Sequence, residues 1–217
     1  METPGTDVPQ SLKWYEVWRE VFLRPSERTF HRILADPLAK PGRAFIWVAI
    51  VGLLSGIVQS FSAQNVDMGQ AVQFNAFTLA ICIPLGAVIG LALSSLILHW
   101  IAGLLGGQGS YERLVYALGA IQAPSTLVSV ILSSIGTLIG LGMGQRTGSP
   151  FLICLAPFSL AWSIYVLYLE VLALKAVEGL TTGKAVLTLF IPLLVVLVLG
   201  GLCVALVLIP VIVQNVR

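Results

Sequence analysis

The chain has 217 residues, 57% of them hydrophobic and 10% charged, with a formal net charge of +2. Soluble domains carry roughly 25% charged residues. The deficit excludes a water-soluble enzyme and predicts one integral membrane domain, with no nucleic-acid partner indicated.

Residues 1–11 are polar and the first apolar run begins only at Ala44, so no cleavable signal peptide is expected. In "SLKWYEVWREVFL", Trp14, Val17, Trp18 and Val21 recur at helical spacing, with Lys13, Glu16 and Glu20 opposite. Pro25 stops this helix. Ser26 caps a second, "ERTFHRILA", which presents Phe30, Ile33 and Leu34 on one face before Asp36-Pro37 ends it. Trp14, Trp18 and Phe22 are the expected interfacial anchors. The local acids Glu2, Asp7, Glu16, Glu20, Glu27 and Asp36 nearly cancel the seven bases, which predicts weak attraction to anionic lipid. Docking on lipid and docking on the protein's own face both fit this pattern. Residues 1–43 are therefore read as an N-terminal segment of amphipathic helices, and 44–217 as the membrane domain.

Five apolar runs have the roughly 17–25 residues that a crossing requires. They are Ala44–Phe61, Asn75–Gly103, Leu114–Leu141, Phe151–Leu174 and Val186–Val213, the last long enough for one tilted crossing. The expected fold is all-α with five transmembrane helices. Pro84, Pro124, Pro157 and Pro192 fall inside spans, where each removes a backbone donor. Gly52/Gly56, Gly86/Gly90 and Gly136/Gly140 have the spacing that lets helices approach closely. Cys82, Cys154 and Cys203 sit in separate apolar runs with no metal or disulfide pattern.

Between the second and third runs lies "LGGQGSYERL". It has no lysine after its glycines and no preceding strand, so it is not a phosphate loop. Gly106, Gly107 and Gly109 are read as a hinge that reverses the chain, with Ser110 as cap of the next helix and Arg113 near the headgroups. If the N-terminus is cytoplasmic, ten of the twelve basic residues face inward and only Arg146 and Arg217 face outward. That asymmetry predicts a cytoplasmic N-terminus and an outer C-terminus in a multi-pass protein of the cell membrane.

Catalytic patterns are missing: the sequence contains no HExxH or GxSxG and only two histidines, His31 and His99. No enzyme, cofactor or metal is expected. The sharpest residue is Glu170, an acid inside "WSIYVLYLEVLALK". Intramembrane acids usually face a partner or water. In the expected topology His99, Arg113, Gln122 and Glu170 share one depth on three spans, as a candidate polar cluster that is either structural pairing or a proton or ligand site.

Three stretches carry a family likeness. "WYEVWREVFLRPSERTFHRIL" follows a W…V…P…F…I pattern, "GGQGSYERLVYALGAIQAPSTL" fills the second connection and third span, and "AWSIYVLYLEVLALKAVEGLTTGKAV" ends on G-x-[ST]-x-G-[KR]-A. Together they resemble the Yip family, membrane proteins named in eukaryotes for interacting with Rab-type GTPases, and more closely its prokaryotic branch. The likeness implies five spans and a cytoplasmic N-terminus. Eukaryotic members carry a DLYGP-type motif before the first span. Only "ADPLAKPGRAF" stands there in this chain, so GTPase binding is not supported. The expected function is a non-enzymatic scaffold or adaptor that organises membrane-protein partners, a homo-oligomer or the lipid bilayer. The alternative is a small oligomeric transporter or channel using the polar cluster.

Overall fold

A computed structural model describes residues 11–63, 76–142, 150–195, 197 and 198. The first connection beyond Ala63, Arg146, Cys203, Arg217 and the C-terminal part of the fifth apolar run lie outside the described residues, as does the side chain of Cys154. All regular structure among the described residues is helical: α1 (Trp14–Leu23), α2 (Glu27–Leu34), α3 (Pro41–Ala63), α4 (Ala76–Leu104), α5 (Tyr111–Gly142), α6 (Pro150–Glu178) and α7 (Thr182–Val195). Helices α3 to α6 are long and apolar enough to cross a membrane, and α7 is a shorter apolar helix that opens the fifth run.

The short helices start and stop where local chemistry requires. The Lys13 N–H donates to the Glu16 carboxylate at 2.9 Å, opening α1. Pro25 has no N–H to continue it. Ser26 Oγ accepts from the Thr29 N–H at 3.1 Å, which satisfies one orphan donor of α2. After α2 the Asp36 carboxylate accepts from the N–H groups of Leu38 and Leu12, at 2.9 and 3.1 Å. Pro41 then stands at the first position of α3, where its missing donor costs nothing.

The long helices extend past their apolar runs at the end where α1 and α2 lie. There α3 begins at Pro41 rather than Ala44 and α6 runs on to Glu178 rather than ending at Leu174, while α5 begins at Tyr111, directly after Ser110, as the expected cap requires. The cause is cover: α1 packs on α5, and α2 packs on α6 and α5. Val17, Val21, Phe30 and Ile33 are fully buried beneath them. Each such side chain contributes roughly 1.5–3 kcal/mol relative to exposure in water. The inner face of the N-terminal segment is thus docked on the protein itself.

Close approaches fix the bundle. A methyl group on Gly52 would lie 2.8 Å from Pro84 Cα, so α3 meets α4 at its proline. One on Gly119 would lie 2.6 Å from Ala44 Cβ, locking α3 against α5. Gly86 and Gly90, by contrast, have open space before them, so that pair makes no contact within the described chain. Cys82 is exposed on the same helix.

Candidate functional site

The polar groups of the bundle gather at the end covered by α1 and α2, and the "LGGQGS" connection is their centre. Helix α4 ends on Gly106, whose φ of +93° is a conformation that glycine adopts without strain. The N–H of Gly106 bonds Gly103 O at 3.1 Å and that of Gly107 bonds Ala102 O at 2.8 Å, a Schellman closure. Helix α6 ends similarly, on Gly179 with φ +68° and its N–H on Lys175 O at 3.0 Å.

Glu178 joins these two helix ends. Its side chain is 0% exposed. One carboxylate oxygen lies 2.7 Å from His99 Nδ1, and the other accepts from the Gly109 N–H at 2.9 Å. The Glu178 carbonyl accepts from the Gln108 N–H at 3.1 Å. Gly107 and Gly109 are glycines because the carboxylate passes over them: a methyl group on either would lie 2.8 Å from Glu178 Oε2. Lys184 at the start of α7 completes the strap, with Nζ donating to Leu105 O at 2.8 Å. The tyrosine that opens α5, Tyr111, donates its hydroxyl to Ala92 O on α4 at 3.2 Å. The connection does reverse the chain, but it is tied at four points and is no free hinge.

A second knot holds the N-terminal segment. Asp36 pairs with Arg43 at 3.4 Å, and Arg43 also donates to Leu12 O at 2.7 Å while its guanidinium lies 5.0 Å from the Trp47 ring centre. Arg32 pairs with Glu20 at 3.0 Å, and Lys175 of α6 pairs with Glu27 of α2. The aromatic anchors form a seam. Trp18 stands between Trp14 and Trp47, with ring centres 4.9 and 5.9 Å away, and Phe22 stacks on Trp162 at 5.6 Å. Tyr165 donates its hydroxyl to the Phe22 carbonyl.

The four residues of the expected cluster do not meet. His99 faces Glu178. Arg113 is exposed, and Gln122 is half-buried, its side chain without a hydrogen-bond partner among the described residues and its carbonyl accepting from Ser125 Oγ. Glu170 is half-buried and has no hydrogen-bond or ion-pair partner among the described residues. It lies eight residues before Glu178, about 12 Å along the helix at 1.5 Å per residue. Sequence reasoning passed over Glu178, although a signal was present. A glutamate as last residue of a helix opposes the macrodipole, and one standing before Gly179 at the level of His99 calls for donors.

The family model of the Yip1 domain matches residues 19–205. No curated protein and no solved structure matches the chain.

Proposed function

The chain belongs to the Yip family, and on that premise we propose that it is a non-enzymatic membrane scaffold. It organises partner proteins or bilayer around the platform formed by α1, α2 and the adjoining ends of α3 to α6. One observation supports this reading above others: three carboxylates of the platform are each held by neighbouring groups. Glu178 is engaged by His99 and Gly109, Asp36 by Arg43 and Leu12, and Glu27 by Lys175. Groups held in this way maintain shape. A nucleophile or general base must instead be free to meet a substrate. A transport path of the kind considered above requires polar side chains that converge, and His99, Arg113, Gln122 and Glu170 lie apart. The distribution of basic residues turns the platform toward the cytoplasm of a multi-pass cell-membrane protein.

The test has two arms. Photo-crosslinkers placed at Arg28 on the platform and at Leu138 at the opposite end should give discrete protein adducts from the first position. The purified protein in liposomes should carry no solute or proton flux above protein-free vesicles. Flux that depends on Glu170 would overturn the scaffold in favour of the transporter.

A further inference from the structure

In the sequence the acids of the N-terminal segment nearly cancel its bases, but the fold does not leave the two signs equally available. Glu16 accepts the Lys13 N–H. Glu20 is bound to Arg32, Glu27 to Lys175, and Asp36 to Arg43 and two backbone N–H groups, with its side chain only 1% exposed. The side chains of Lys13, Arg19, Arg24 and Arg28 are all exposed and none has an acidic partner among the described residues. Among the described residues of the segment, the exposed charge left without an ionic partner is basic.

These cations share α1 and its turn into α2 with exposed apolar side chains. On α1, Tyr15, Arg19 and Leu23 follow each other at i, i+4 spacing opposite the buried Val17 and Val21. Leu23 is 73% exposed and Trp14 52%. Lys13 Nζ lies 5.9 Å from the Tyr15 ring centre. The patch continues onto the exposed apolar sides of the spans, because Trp18 meets Trp47 of α3 and Phe22 meets Trp162 of α6. Ile46 and Ile50 on α3, and Ile164, Leu167 and Tyr168 on α6, are all exposed.

We propose that this face of α1, with the turn into α2, binds anionic phospholipid headgroups through Lys13, Arg19, Arg24 and Arg28, while Trp14, Tyr15 and Leu23 enter the acyl boundary. An acidic peptide fits the same charges less well. Of the four cations only Arg19 shares in the lining of the groove beside α1. That cleft, of about 480 Å3, is also lined by Glu16, Glu20 and Asp36, acids that disfavour an acidic ligand. A helix with aromatic and aliphatic side chains flanked by bases is the usual form of an interfacial anchor. The inference rests on the membrane reading and not on the scaffold role.

The test uses the full-length protein in mild detergent, mixed with phosphatidylglycerol or phosphatidylcholine of matched chains, with bound lipid counted by native mass spectrometry. Each base near an anionic surface strengthens binding roughly fivefold. Phosphatidylglycerol should therefore be retained at least fivefold over phosphatidylcholine, and the preference should shrink as salt rises from about 0.05 to about 0.5 M. The variant K13Q/R19Q/R24Q/R28Q should bring the preference to within about twofold, whereas G90A, which removes no charge, should leave it unchanged. If the fourfold variant does not fold, R24Q/R28Q and the salt titration of the unaltered protein decide. Equal retention of the two lipids, a preference indifferent to salt, or one that survives the substitutions overturns the proposal. So does an acidic protein crosslinked to Arg28 when no lipid preference is present. The flux and crosslinking arms for the scaffold are read separately, so either reading can fail alone.

Discussion

Along α5, Leu114–Ile121 are buried, whereas Ile131, Ile135 and Leu138, further along, are exposed. The same division runs through α6, between the buried Leu169, Leu172, Ala173 and Leu174 and the exposed Phe158, Leu160 and Ile164, while α3 is buried along one face from Ala44 to Ser60. Both halves of the bundle are apolar, so apolarity cannot be what packs one of them. Lipid tails solvate leucine as well as another helix does, and association in a membrane depends on close fit and polar bonds instead. The packed half has both. Ala117, Gly119, Ala120 and Ala123 on α5 and Ala173 and Ala176 on α6 let backbones approach, and the Glu178 and Asp36 knots hold the ends. The open half presents large side chains outward and has no such knot among the described residues.

The contrast is broken most severely at Glu178. Glu178→Leu leaves His99 and the Gly109 N–H without their acceptor inside the packed half. Each donor left without its acceptor costs about 1–3 kcal/mol, and two are left here. A chemical or thermal melt in detergent should show that loss. Glu178→Gln keeps an acceptor for the Gly109 N–H and should lose clearly less. A cycle with His99→Leu should reveal strong coupling between the two positions.

Two glycines then compare a packed face with an open one by the same substitution. Gly119→Ala places a methyl group 2.6 Å from Ala44 Cβ, and overpacking of this kind costs about 1–3 kcal/mol. Gly90→Ala meets nothing within 4 Å and gains up to about 1 kcal/mol of helix propensity. The two melts should move in opposite directions. Equal shifts would mean that the packed face tolerates volume as the open face does.

A smaller effect is expected at the aromatic seam. Trp14→Glu with Trp18→Glu removes the rings that connect α1 to Trp47. Such ring pairs contribute about 0.5–1.5 kcal/mol beyond their buried area, so amide exchange over Trp14–Leu23 should accelerate about tenfold while α3 and α5 keep their protection. Unchanged exchange would show that Val17 and Val21 alone hold the helix in place.

What was legible in the sequence followed from local chemistry. Apolar runs located the four long helices, Pro25 and Ser26 marked the end of α1 and the start of α2, and Phe30 and Ile33 were placed on the buried face. Ser110 likewise marked the start of α5. The inner ends of α3 and α6 lie beyond the reach of hydropathy, which stops at the last apolar residue, because Pro41 and Glu178 stay helical under the cover of other elements. The site was hidden for a related reason. Choosing between the acids of α6 requires knowing which one the "GGQG" connection crosses, and that is a matter of tertiary placement. Glu170 is conspicuous by its apolar neighbours, while Glu178 resembles a solvated helix end until His99 and Gly109 are brought against it. The signs of the N-terminal charges were read correctly, but their pairing, which decides what faces outward, belongs to the fold.

The smallest expected effect is at Glu170, and it sharpens the comparison because Glu170 lies at the border of the two halves. Its neighbour Leu169 is fully buried, whereas Leu167 and Tyr168 are exposed. Acids within spans are usually retained for a partner or a water path, and Glu170 has no partner among the described residues. Glu170→Leu therefore orphans no donor. It should leave the melt within about 0.5 kcal/mol of the unaltered protein, as for a substitution outside any bonded network. Glu170→Gln should behave alike. The same two variants in liposomes separate the causes. If stability is unchanged and no flux exists to lose, the carboxylate serves neither packing nor transport and extends toward the headgroups, as long polar side chains near a membrane edge do. If Glu170→Leu costs 1–3 kcal/mol, the penalty for an orphaned buried group, the packed half reaches one turn further along α6 than the described contacts place it. If stability holds but a flux disappears, the border between the halves is itself a path, and the scaffold reading fails there.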